Sequence, residues 1–238
     1  MNNVNPNNIY KPNVVEFEDV DSLYLQCVNY IEDQILGVEA QSGVARILLS
    51  GEESLLPIYK KLGHSSILNW NTLEIFQSEE SISDNLENKK SSEKLEKNLG
   101  SEIISLCKEV NFIKSDISPE ESLENYSEIL DSLDGIWFDQ VVLGLGSDGT
   151  VGGIFPEIEY LKQNNQSIIQ TKNENDVFLA LTPSSILNAK DIILVVIGEA
   201  KIQALSELLE GTSSAQDFPA KFLFTHPRVK IFFCPQNH

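Results

Sequence analysis

The chain has 238 residues, 41% of them hydrophobic, and sets 36 acidic side chains against 17 basic ones for a net charge of −19. A surface of that sign repels phosphodiester backbones and anionic headgroups, which excludes a nucleic-acid or membrane-surface protein. The length suits one large α/β domain or two small ones, with enough apolar residues for a full core.

Residues 1–13 (MNNVNPNNIYKPN) are polar and lack the apolar stretch of a signal peptide. A disordered tail is expected there, ahead of a single domain at 14–238. Between Asp21 and Leu36, the residues Leu23, Cys27, Tyr30, Ile31 and Ile35 recur near helical spacing, with Asp21 at the N-cap. ARILLSG (Ala45 to Gly51) is a short apolar run ending in glycine, a buried strand and a turn. EESLLPIYKKL follows as a helix with Pro57 in its first turns, and Trp70 to Phe76 form a second strand. From Gln77 to about Ser101 the chain turns polar, which predicts a loop running into a solvated helix. Phe138 to Gly146 is the clearest buried strand, and DVFLALT and DIILVVIGEA are two more. KIQALSELLEG is a helix ending in glycine, and Arg228 to Cys234 close the chain as a strand.

Alternating strands and helices predict a mostly parallel central sheet with helices on both faces, a Rossmann-like α/β architecture. Ligands in such sheets bind at the carboxyl ends of strands, so the loops after Leu49, Phe76, Leu145 and Ile197 are the candidates. Cys27, Cys107 and Cys234 are odd in number and show no CxxC spacing, the pattern of reduced thiols in a cytoplasmic protein. His64, His226 and His238 are scattered and predict no metal site.

VVLGLGSDGTVGGIFP (Val141 to Pro156) concentrates the chemistry. Gly144, Gly146 and Gly149 spell the G-x-G-x-x-G of dinucleotide sites after a strand. The context argues against that reading. No acid ends a second strand about 20 residues on, and Pro156 would cut short a pyrophosphate-binding helix. The alternative is a turn whose glycines permit positive φ while Asp148 caps its own loop or the next helix.

FDQVVLGLGSDGTVGGIFP resembles the signature of the 6-phosphogluconolactonases and, more loosely, of the glucosamine-6-phosphate deaminases. LNAKDIILVVIGEAKIQALSELLEG and FPAKFLFTHPRVKIFFC are similar to later stretches of the same family. The resemblance implies a cofactor-free hydrolysis of a sugar-phosphate lactone in the pentose phosphate pathway. It would place Asp148, the position of Thr150, Ser50, Gly51, Gly144, Gly146, Gly149 and Lys201 at the site, with Lys201 holding phosphate. The same lysine, read from the helix alone, is a solvated side chain.

The departures fall on the chemistry. The family's D-G-H-T reads Asp148-Gly149-Thr150-Val151 here. Thr150 therefore replaces the histidine that the resemblance makes the general base, and a threonine hydroxyl accepts no proton at neutral pH. Gly-Gly-Ser-Thr of the phosphate loop becomes Ser50-Gly51-Glu52-Glu53-Ser54, and Asp-Glu-Arg becomes Ser78-Glu79-Glu80. An arginine expected before Leu187-Asn188-Ala189 has no counterpart. No spacing brings His64 or His226 to Asp148, which itself would serve as a base only if burial raised its pKa. Two expectations follow: a lactonase-like protein whose activity is weak or lost, or an inactive relative that binds a protein partner such as glucose-6-phosphate dehydrogenase.

Overall fold

The computed structural model describes residues 9–82, 90–156, 166–173 and 176–236. The chain enters with β1 (Asn13–Glu16) and a long helix α1 (Val20–Ser42). Then come β2 (Ala45–Leu49), α2 (Leu56–Leu62), β3 (Leu73–Gln77), β4 (Glu79–Ser81), α3 (Ser91–Leu99), α4 (Ser101–Leu106) and β5 (Glu109–Asn111). The second half runs α5 (Pro119–Asp131), β6 (Gln140–Gly144), β7 (Ile168–Asn173), β8 (Asp176–Leu181), α6 (Pro183–Ile186), β9 (Ile192–Ile197), α7 (Ile202–Glu210) and β10 (Val229–Cys234).

Seven strands pair in parallel in the order β1-β10-β9-β6-β2-β3-β5. The central ones are near-continuous apolar runs because both faces are covered. Alternate residues divide between two cores. Ile47, Leu49, Val142, Ile193, Val195 and Phe232 pack with α1, α2 and α3. Leu48, Val141, Leu143, Leu194 and Ile231 pack with α5, α6 and α7 on the other face.

That second face also carries what the alternation of strands and helices does not reveal: a small antiparallel sheet, β4-β8-β7. DVFLALT belongs to it rather than to the parallel sheet. A single residue, Ser78, separates β3 from β4. Its N–H donates to Leu49 O at 3.0 Å in the large sheet, and its carbonyl accepts from Leu181 N–H at 2.9 Å in the small one.

Three local expectations change. Asp19, not Asp21, caps α1, its carboxylate accepting the Ser22 N–H at 2.8 Å and hydroxyl at 2.7 Å. Trp70–Thr72 form a 3-10 turn before β3. Gln77–Ser81 is a buried stretch rather than a solvated loop, because its polar groups are bonded to one another and to the backbone. Of the stretch expected as a tail, residues 1–8 lie outside the described residues, while Tyr10 N–H donates to Phe224 O at 2.7 Å. His238 and residues 83–89 of the polar stretch also lie outside them.

Candidate functional site

After β2 the chain steps outward to β3, and after β6 it crosses to β9 on the other side. The carboxyl ends of β2 and β6 therefore flank the point where the winding reverses, the usual crevice for ligands in open α/β sheets. Ser50, Gly51 and Glu52 leave β2 there, and the loop of residues 145–155 leaves β6.

The donors of the β2 loop are taken by a carboxyl group of the chain itself. Ser50 Oγ and Gly51 N–H both donate to Glu79 Oε1, at 2.8 and 2.7 Å. Ser78 Oγ donates to the other oxygen of the same carboxylate. Tyr59 O–H donates to Ser50 O at 2.8 Å and fixes the turn. Glu79 is buried, and burial pushes its pKa up to about 7, against the three donors that favour the charged form.

Glu80, also fully buried, does a different job. It accepts from the first two N–H groups of α3, Ser91 at 2.7 Å and Ser92 at 3.0 Å, and from Ser81 N–H and Gln77 Nε2. A carboxylate at a helix N-terminus complements the dipole.

Of the two acids at the start of the next helix, only one points away. Glu53 is exposed and pairs with Lys94 at 2.8 Å. Glu52 turns inward, where burial raises its pKa and Lys201 opposes the rise. Its carboxylate lies directly over Gly144, so any Cβ at that position would overlap Oε2. Ser54 Oγ donates to Oε1 at 3.0 Å, while Oε2 has no hydrogen-bond partner among the described residues.

The β6 loop keeps a tight course. Gly146 N–H donates to Thr150 O at 2.7 Å, and Asp148 Oδ1 accepts Thr150 N–H at 2.9 Å. Asp148 thus caps its own loop and faces outward, onto a cleft of about 640 Å3 shared with Glu207, Glu210 and Phe218. Gly149 alone of the three fingerprint glycines has positive φ, +88°, and it lies flat against the Phe218 ring. Gly144 and Gly146 serve close approach instead, to Glu52 and to Thr150. Thr150 Oγ1 is buried without a hydrogen-bond partner among the described residues.

From the β9 side, Lys201 reaches across and donates its Nζ to Leu145 O at 2.6 Å. One of its three N–H donors is thus spent on the backbone, and the residue is half-buried. His226 Nε2 is on Ala189 O at 2.9 Å, near the amino ends of the strands, and His64 Nδ1 is on Lys60 O. Neither reaches Asp148. Among the described residues no group of His, Cys, Asp and Glu is placed to hold a metal, and no helix is long and apolar enough to cross a membrane.

A family model described as glucosamine-6-phosphate isomerases/6-phosphogluconolactonase matches residues 18–232. The chain belongs to this family. A glucosamine-6-phosphate deaminase of Malacoplasma penetrans is 30% identical over 128 residues, which is 48% of this chain and 51% of that one. A 6-phosphogluconolactonase of Borreliella burgdorferi is 29% identical over 133 residues, 54% and 56% of the two chains. The matches thus span about half the length of these relatives. Among solved structures, a 6-phosphogluconolactonase of Shewanella baltica superposes with a TM-score of 0.84 at 22% identity, covering 95% of this chain and 99% of that one, a likeness of fold.

Ser50 and Gly51 thus stand after β2, Gly144, Gly146 and Thr150 at and after the end of β6, Gly149 against Phe218 and Lys201 against Leu145, while Asp148 looks outward. What the sequence does not announce is the use of Glu52, Glu79 and Glu80. Their run of polar neighbours reads as surface, and no periodicity marks them as buried. The one available signal is position: each stands two or three residues beyond a parallel strand that ends at the site.

Proposed function

We propose that this chain is a 6-phosphogluconolactonase-like protein in which hydrolysis of 6-phosphoglucono-δ-lactone to 6-phosphogluconate, in the pentose phosphate pathway, is weak or lost. One observation carries this reading: Glu52, which stands where the family's phosphate loop has no acid, turns its carboxylate inward over Gly144, where an incoming dianion would meet it. The Ser50 hydroxyl and the Gly51 N–H are engaged besides by Glu79, the glutamate that the family's Asp-Glu-Arg also carries. At ~4 Å and an effective dielectric near 20, each like-charge pair costs roughly 4 kcal/mol. With Thr150 where the family has histidine, the general base is missing too, a loss of typically 10²–10⁴-fold.

In this reading Asp148 and Gly149 shape the loop, Gly144 and Gly146 admit the neighbouring chain, and Lys201 braces the two loops. The fold then serves as a scaffold or partner-binding domain, glucose-6-phosphate dehydrogenase being the partner suggested by fused members of the family. No cofactor enters.

The test is turnover of fresh 6-phosphogluconolactone, read as proton release above spontaneous hydrolysis. Little or none is expected from the native chain. Thr150→His alone is expected to restore nothing, because Glu52 still lies over Gly144, and 6-phosphogluconate should leave the melting temperature unchanged. Robust native turnover abolished by Asp148→Ala would overturn the reading.

A further inference from the structure

The segments that lead into three adjacent parallel strands enclose a cavity of about 990 Å3 at the amino ends of the sheet, opposite the loops described above. Residues 133–137 precede β6, residues 184–190 precede β9 and residues 225–228 precede β10. Its walls are apolar: Leu133, Ile136, Trp137, Leu187 and Pro227. The volume is that of a small-molecule site, roughly 300–1,000 Å3.

The walls are fixed by backbone bonds. Trp137 and Phe138 N–H both donate to Asn188 O, at 3.1 and 3.2 Å, and Lys190 N–H donates to Phe138 O at 2.8 Å. His226, buried behind them, bridges Ala189 O and the Arg228 N–H through its two ring nitrogens. A cavity held this way needs little ordering when it is filled.

Two cations stand on its rim, Lys190 and Arg228, with side chains 46% and 58% exposed. Each is backed by a nearly buried acid, Asp139 at 2.6 Å and Asp191 at 3.1 Å. The acids are engaged from the protein side. Asp139 accepts Arg46 N–H at 2.8 Å, and Asp191 accepts the Tyr30 hydroxyl at 3.0 Å. They position the two cation heads; Arg228 Nη2 also donates to Gln34 Oε1 at 3.2 Å, and the other donors are left to the rim. In a chain of net charge −19, two oriented cations beside an apolar wall that includes Trp137 are a selective feature.

We infer that this cavity binds a small organic anion with a flat, apolar body, the body against Trp137 and the charge at Lys190 and Arg228. Trp137 offers a broad ring to such a body, and the guanidinium of Arg228 suits a carboxylate or sulfonate. The site is independent of the loops at the other end of the sheet, so it stands whether or not lactone hydrolysis survives.

The chain has two tryptophans, Trp70 and Trp137, so Trp70→Phe leaves Trp137 as the only one. Titrating that variant with anilinonaphthalene sulfonate, and following energy transfer from Trp137 to the dye, tests the inference. Saturable transfer at one site is expected. Removing the sulfonate from the dye, or Lys190→Gln in the protein, should each weaken binding about tenfold, the loss of one charge-assisted bond. Lys190→Arg should restore it. Should Trp70→Phe fail to fold, the native chain compared with Trp137→Phe reads the same site by difference. Absence of saturable transfer, or an affinity indifferent to both the sulfonate and Lys190, would overturn the proposal.

Discussion

The loops after β2 and β3 and the loop after β6 face one crevice, yet they have diverged in different ways. The β6 loop retains its glycines, its close turn and an outward acid, and departs from the family signature mainly at Thr150. The β2 and β3 loops retain their course, and Glu79 with it, but bring in two acids where the family has none, Glu52 and Glu80. The course of the chain thus persists while the side chains around it change. Shape is inherited through the glycines and the strand ends, whereas chemistry is set by a handful of substitutions that leave the fold intact.

If that contrast is right, the acids of the β2 and β3 loops matter more to stability than the acid of the β6 loop. Glu80→Ala should have the largest effect. It strands four donors, two of them at the start of α3, and a loss of about 4 kcal/mol in chemical unfolding is expected. A loss below about 1 kcal/mol would remove Glu80 from the comparison.

Glu79 sharpens it through pH. Its folded pKa of about 7 lies above the ordinary 4.5, so the folded state binds the proton more tightly than the unfolded one. The favourable contribution is full below pH 4.5 and is lost as pH rises through 7. At about 1.4 kcal/mol per pH unit, some 3 kcal/mol separates the two limits. Glu79→Gln keeps the shape and removes the titration, so the difference between variant and native melting temperatures should grow in the variant's favour from pH 4.5 to 8. A parallel pair of curves would show that Glu79 is not held as described.

On the β6 side, Gly149→Ala forces a left-handed alanine and drives its methyl into the Phe218 ring. About 2 kcal/mol is expected from the strain and displacement. Asp148→Ala should be mildest. It gives up one bond to Thr150 N–H at an exposed position and should cost about 1 kcal/mol or less. If Asp148→Ala proved worse than Glu80→Ala, the β6 loop would be the structurally critical one and the comparison would be reversed.

The parallel sheet was legible because β2, β6, β9 and β10 are apolar runs bounded by glycine or polar residues, and burial on both faces permits nothing else. The small sheet was not. β4 is Glu-Glu-Ser, a strand without one apolar residue, stabilised by bonds that composition does not announce. The candidate site was legible as a place, through the glycines and the strand ends. Its occupant was not, since Glu79 reaches Ser50 across 29 positions of sequence and only the folded register brings them together. Lys201 illustrates the same limit: helical spacing alone left it on the surface, and the backbone of another loop claims it.

Ser78 joins the two sheets with one residue, its amide in one ladder and its carbonyl in the other. Because one residue carries both bonds, displacing either sheet strains the bond that Ser78 makes in the other. The molecule should therefore lose both together, as one cooperative unit, and amide hydrogens at Ser78 and Leu181 should exchange with a common opening free energy rather than as separate subdomains.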